Sequence, residues 1–142
     1  MNLYDRCQDI KLKDYGDQRG KLFVIESGRT FPFEIKRAFF IFETDINMVR
    51  GQHANIKSDF VIVNVSGNCK IKITDGKDEI IKKLSKPMEG VYIPRLLWKD
   101  IYDFSRDSML LVLTNTYYDS TEYIRNYKEY LLYIGKDDLI SN

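Results

Sequence analysis

Histidine is nearly missing from this chain: His53 is the single imidazole in 142 residues. That excludes a metal centre built on two or three histidines and a catalytic histidine pair. Cysteine is scarce too. Cys7 and Cys69 could form one bridge at most, and nothing in the sequence argues for export, so two thiols in a reducing compartment are expected. Charge of one sign is lacking, with 22 basic against 21 acidic residues and a formal net charge of +1. No global field recruits nucleic acid or a membrane surface. Long apolar runs are absent: the longest, such as Ala38 to Phe42 and Met109 to Leu113, hold about five residues, where a membrane helix needs roughly 20. The first 17 residues are charged and carry no apolar signal-peptide core, so a cytoplasmic location is expected.

A hydrophobic fraction of 44% rules out wholesale disorder, and the length suits a single domain over residues 1–142. Turn signals recur at short intervals, at Gly16, Gly20, Gly28, Gly51, Gly67, Gly76 and Gly90. Between them lie short runs rich in Val, Ile, Phe and Tyr, the pattern of an all-β sandwich or barrel. The clearest strand is Cys69 to Thr74, where Cys69, Ile71 and Ile73 alternate with Lys70, Lys72 and Thr74. Asp75-Gly76 then predicts a hairpin with Glu79 to Leu84 as the returning strand. Further strands are expected at Lys21–Glu26, Ile35–Phe42, Phe60–Val65, Val91–Ile93 and Ser108–Thr114. The runs at Ala38–Phe42, Phe60–Val63 and Met109–Leu113 lack alternation, which predicts strands covered on both faces, in a sandwich centre or a subunit interface. One helix is expected over about 121–134, capped by Asp119 or Ser120, with Tyr123, Tyr127, Leu131 and Ile134 on its apolar stripe. The tail Gly135 to Asn142 is polar and reads as a frayed end.

Two stretches carry the chemistry. Arg50-Gly51-Gln52-His53-Ala54-Asn55 through Asp59, if extended, projects His53 and Asn55 to one side, and Gly67 follows. Gly90 to Lys99 places a Pro94-terminated strand before Trp98-Lys99. The pairing resembles a cupin. A metal-binding cupin carries two histidines one residue apart, an acidic residue, a glycine and a third histidine. Here those places read His53, Asn55, Asp59, Gly67 and Lys99. Two histidines are missing and a cation stands at the third place, so a metal-free cupin is expected.

The run Ile35-Lys36-Arg37-Ala38-Phe39-Phe40-Ile41-Phe42, then Arg50-Gly51-Gln52-His53-Ala54, then Trp98, then Tyr117 to Tyr127 narrows the match. These segments are similar to the dTDP-4-oxo-6-deoxyglucose 3,4-ketoisomerases, bacterial enzymes that make precursors of 3-amino-3,6-dideoxyhexoses for surface polysaccharides. The resemblance spans about Arg19 to Tyr127. It implies a cupin-type antiparallel jelly-roll barrel with one C-terminal helix, acid/base tautomerisation of a dTDP-linked 4-oxo-6-deoxyhexose without cofactor, and a homodimer with exchanged N-terminal strands. The sequence departs from the family at four polar places: Asn55 for a second histidine, Phe39 for a tyrosine, Phe60 for a glutamine, and Lys99 where histidine or arginine is frequent.

Moving a ketone from C4 to C3 requires removal of the C3 proton, an enediol, and a proton delivered to C4. Imidazole suits the task at neutral pH, which makes His53 the candidate base. Asparagine transfers no protons, so Asn55 can only hold an oxygen. Lys99, Tyr92 and Asp59 are candidates for a second group. Arg19, Arg37 and Arg50 are candidate diphosphate ligands, since guanidinium groups match phosphate oxygens bidentately. Trp98 and Tyr102, with Tyr92, are candidates to stack on thymine or sugar. Two functions remain open at this level: a ketoisomerase, favoured by His53, and a cupin that binds the nucleotide sugar but has lost turnover, favoured by Asn55, Phe39 and Phe60.

Overall fold

The computed structural model describes residues 1–135, so the polar tail beyond Gly135 lies outside the described residues. A short helix α1 (Leu3–Arg6) precedes strands β1 (Asp9–Lys11), β2 (Arg37–Phe42), β3 (Arg50–Asn55), β4 (Phe60–Ser66), β5 (Cys69–Thr74), β6 (Glu79–Leu84), β7 (Glu89–Ile93), β8 (Trp98–Tyr102) and β9 (Met109–Thr114). A 3₁₀ turn (Ser120–Glu122), β10 (Tyr123–Ile124) and the helix α2 (Tyr127–Tyr133) complete it. Two antiparallel five-stranded sheets face each other, ordered β1-β7-β4-β9-β2 and β10-β3-β8-β5-β6. This is the all-β jelly-roll barrel with a short C-terminal helix that the resemblance implied. No helix among the described residues is long and apolar enough to cross a membrane.

Alternation fixes the core. Cys69, Ile71 and Ile73 of β5 turn inward and meet Phe60, Ile62, Val91, Ile93, Leu110 and Val112 from the opposite sheet. The predicted β5–β6 hairpin is present, with Cys69 opposite Leu84 through Thr74 opposite Glu79. β4 does not alternate because both its faces are covered. Phe60 and Ile62 face the barrel interior, while Val61 and Val63 lie under Leu12, Phe31, Phe33 and Ile35 of the N-terminal segment. Each such side chain contributes about 1.5–3 kcal/mol on burial. Both cysteines are free and buried, and burial pushes the Cys7 thiol up to about 11 and Cys69 to about 12.

Three expectations are corrected and one is narrowed. Lys21–Glu26 forms no strand; Phe23 makes one isolated bridge to Asp14, because the strand-prone run finds no sheet edge to extend. β2 is an edge strand, not a sandwich centre, and its outer face is uncovered in the single chain, Phe40 being 57% and Phe42 51% exposed; the subunit-interface alternative stays open. The helix starts at Tyr127, not 121. Asp119 caps only the 3₁₀ turn, accepting from Thr121 N–H, and the helix has its own cap, Asn126, which accepts from Glu129 N–H. Between the caps, Tyr123 and Ile124 pair with Asn55 and Ala54 of β3, so Tyr123 is not on the helical stripe. α1, β1 and β8 were not anticipated.

Candidate active site

Strands β3 and β8 build the site. Their register runs Arg50 to Ile101, Gly51 to Asp100, then His53 to Lys99, and the shift between Gly51 and His53 leaves Gln52 bulged. Such a bulge re-aims the side chains beside it. Gly51 is required there: its φ is +80°, and a Cβ would lie 2.8 Å from the Lys99 carbonyl oxygen. The bulge sets His53 directly across from Lys99, both facing a cavity of about 270 Å³ also lined by Phe39, Arg50, Phe60, Tyr123 and Arg125.

The His53 Nδ1 lies 2.9 Å from the Gly51 carbonyl oxygen. A carbonyl only accepts, so Nδ1 carries the proton and Nε2 offers its lone pair. Nε2 is buried and has no partner among the described residues. Burial, and after it the positive charge of Lys99, lowers the imidazole from 6.5 to about 4, so the ring is neutral at pH 7 with its Nε2 lone pair unprotonated. The rings of Tyr123 at 4.8 Å and Phe60 at 6.2 Å hold it in place.

Lys99 is 3% exposed. Its Nζ sits 4.2 Å from the Phe60 ring centroid and donates to Asn55 Oδ1 at 3.2 Å. Burial lowers this ammonium from 10.5 to about 7, while the charge of Glu122 pulls the other way. Asn55 also donates to the Glu122 carboxylate. Glu122 accepts further from the Lys57 and Ser58 N–H groups at 2.9 and 3.0 Å and from Ser58 Oγ at 3.0 Å. Burial alone would raise this carboxyl; the hydrogen bonds from Lys57, Asn55 and Ser58 hold it below its usual value.

The cavity has a cationic, aromatic side. Arg50 and Arg125 line it, and the Arg125 guanidinium stacks 4.6 Å from the Tyr123 centroid. Arg37 stands adjacent, 5.7 Å from the Phe39 ring and 5.5 Å from Tyr118. Its Nε donates to Thr114 Oγ1 at 3.2 Å, while its buried Nη2 has no partner among the described residues. Unpartnered buried donors and acceptors cost about 1–3 kcal/mol each and mark places that a ligand can satisfy.

Of the candidates from sequence, His53, Lys99 and Arg50 meet at the cavity, Asn55 lies behind Lys99, and Arg37 stands at the margin. Five others lie elsewhere. Trp98 precedes Lys99 and therefore points to the opposite face of β8, into a cluster with Ala54, Ile124, Tyr130 and Leu131. Tyr102 shares that outward parity. Tyr92 packs at a tilt against Phe33 outside the other sheet, 6.3 Å between centroids. Asp59 accepts from Arg95 N–H at 2.8 Å and from Asn115 Nδ2 at 3.3 Å, a loop brace. Arg19 is exposed and ion-paired to Asp17 at 2.6 Å. Sequence reasoning missed Tyr123, Glu122 and Arg125. The false helix assignment hid Tyr123 and Glu122, and no spacing rule singled out Arg125. Among the described residues no three His, Cys, Asp or Glu side chains are grouped to hold a metal ion.

Comparison with known proteins shows the family to which the chain belongs. The family model described as FdtA: WxcM-like, C-terminal, matches residues 5–135. The TDP-4-oxo-6-deoxy-α-D-glucose-3,4-oxoisomerase of Aneurinibacillus thermoaerophilus is 39% identical over 132 residues, covering 92% of this chain and 94% of that protein. The crystal structure of QdtA, a sugar 3,4-ketoisomerase from Thermoanaerobacterium thermosaccharolyticum in complex with TDP, superposes with a TM-score of 0.89 at 38% identity, covering 95% of this chain and 98% of that one. The WlaRB TDP-quinovose 3,4-ketoisomerase from Campylobacter jejuni gives 0.86 at 40% identity, over 91% and 99%. The chain belongs to this FdtA-like family of sugar 3,4-ketoisomerases.

Proposed function

We propose that the protein is a 3,4-ketoisomerase acting on dTDP-4-oxo-6-deoxyglucose, forming a 3-oxo sugar for 3-amino-3,6-dideoxyhexose and surface polysaccharide synthesis. One observation carries the assignment: a neutral imidazole with its buried Nε2 lone pair unpartnered among the described residues, in a cavity flanked by Arg50 and Arg125. In this mechanism Nε2 removes the C3 proton, and the electron pair moves through C3–C4 onto O4 to give an enediolate, which becomes the enediol once O4 is protonated. The imidazolium then returns its proton to C4. One base serves both carbons because they are adjacent. The low basicity of His53 keeps it free of solvent protons at pH 7, and its imidazolium is a strong acid for the second transfer. Arg50, Arg125 and Arg37 supply the cationic side for the diphosphate, with Arg37 Nη2 still free to donate among the described residues.

The protein acts as a cytoplasmic homodimer with exchanged N-terminal strands. Support comes from the apolar side chains that the single chain leaves in the open, Leu22, Val24, Phe40 and Phe42. The homologues are named as isomerases, and this favours the enzyme over a binding protein without turnover. Incubation with dTDP-4-oxo-6-deoxyglucose followed by NMR of the products is the test. A 3-oxo product is expected; unchanged substrate after prolonged incubation would contradict the assignment.

A further inference from the structure

Ketone migration moves two protons, one between carbons and one between oxygens: O4 gains a hydrogen and O3 loses one. His53 accounts for the first. The second needs a group on the same cavity that can hold and release a proton, and Asn55, Phe39 and Phe60 cannot.

Lys99 on β8 lies directly opposite His53 on β3 and lines the same cavity. Behind it runs a buried chain of contacts, Lys99 Nζ to Asn55 Oδ1 at 3.2 Å, then Asn55 Nδ2 to Glu122. Asn55 is 1% and Glu122 3% exposed. The backbone N–H groups of Lys57 and Ser58 hold the far carboxylate oxygen, so Glu122 presents the other to Asn55 and fixes which way the amide points. With Nδ2 turned to Glu122, Oδ1 must face Lys99. The relay therefore orients the ammonium from behind.

We propose, on the basis of the ketoisomerase assignment above, that Lys99 carries the hydroxyl proton between O4 and O3, and that Glu122, acting through Asn55, is the positioning residue that holds its amine for the task. The balance closes. As His53 takes the C3 proton, the Lys99 ammonium gives a proton to O4, leaving a neutral enediol, an imidazolium and an amine. The imidazolium then protonates C4 while the amine takes the O3 proton, and C3 becomes the ketone. Both groups end as they began, and nothing is oxidised or reduced overall.

The groups around Lys99 are His53 and Asn55 from β3, Phe60 from β4, Glu122 from the 3₁₀ turn, Cys7 beyond α1, and Arg50 and Arg125 on the shared cavity. His53 and the Cys7 thiol are uncharged at pH 7, so Glu122 is the anion that favours the ammonium. The rate should accordingly fall above about pH 7, where the ammonium is lost. Glu122→Gln removes that anion. Its side-chain amide also forces Asn55 to turn, so that Nδ2 faces Lys99. The falling limb should then move down by about one pH unit or more, with dTDP affinity within about threefold. Lys99→Met should lose the limb and about 10²-fold in rate. Merely structural damage would lower the rate without moving the limb.

The test is the pH–rate profile of wild type and Glu122→Gln, with dTDP affinity measured alongside. A limb shifted downward supports the proposal; an active wild type with an unmoved limb in Glu122→Gln overturns it and leaves the ketoisomerase assignment intact. A wild type that isomerises nothing overturns both. If Glu122→Gln does not fold, NMR titration of isotopically labelled lysine in the wild type decides: a Lys99 midpoint near 7 supports the proposal, and one above about 9 overturns it.

Discussion

The two faces of the sheet that holds β3 and β8 are made by neighbouring residues and do opposite work. Outward, Trp98 packs 5.1 Å from Tyr127 and 5.7 Å from Tyr130, and the buried Tyr130 hydroxyl donates to the Leu96 carbonyl at 2.8 Å. The principal polar groups there have partners. Inward, one residue along the strand, Lys99 and His53 line a cavity where His53 Nε2 is buried without a partner among the described residues. Both faces bury side chains, so burial alone does not locate the site. What separates them is satisfaction: the outer face has spent its hydrogen bonds on stability, and the inner face holds some open for a ligand.

That contrast breaks in ordered ways. The largest effect is expected from His53→Asn, which should lower the isomerisation rate by about 10²–10⁴-fold while leaving dTDP affinity within about threefold; steady-state kinetics and calorimetry measure the two separately. Trp98→Ala reverses the pattern. It should cost about 3–5 kcal/mol of stability in urea unfolding, with dTDP affinity barely changed in whatever fraction stays folded. A Trp98 that stacks on the nucleotide would instead lose binding.

Protonation sharpens the comparison further. His53 is lowered to about 4 in the folded chain, against about 6.5 unfolded. Between those values the unfolded state binds the extra proton, so stability rises with pH from 4 to 6.5 and is lost again as pH falls. The contribution is up to about 3 kcal/mol. Urea midpoints across this window should climb less steeply in His53→Asn; the rise left in that variant belongs to carboxylates such as Glu122, which is also held below its usual value. The smallest effect is expected at the edge of the cavity. Arg50→Ala should weaken dTDP about ten- to a hundredfold, roughly 1.5–3 kcal/mol for one charge-assisted contact. Equal affinities would clear Arg50 of the role.

Much of this was legible from residues. Alternation at Cys69–Thr74 and the Asp75-Gly76 turn marked the β5–β6 hairpin, and Arg50-Gly51-Gln52-His53 marked the segment that lines the cavity. The errors have physical sources. Trp98 and Lys99 were both placed in the site although a period of two sends neighbours to opposite faces; applying that rule would have removed Trp98. Asp119 is a genuine cap, but a cap starts a turn without guaranteeing a helix, and pairing of Tyr123 with Asn55 won over helical spacing. Lys21–Glu26 shows that strand propensity needs a partner edge. The burial of Glu122 left no local trace, because its partners Lys57 and Ser58 are more than 60 positions away in sequence and only the folded topology joins them.

The central claim is that the inward face carries a working base. Wild-type protein incubated in D₂O with dTDP-4-oxo-6-deoxyglucose, with recovered sugar read by NMR for deuterium at C3, tests it most directly. The account predicts exchange at C3 far faster than in buffer, lost in His53→Asn while dTDP still binds. Tight dTDP binding by the wild type with exchange no faster than buffer would contradict it.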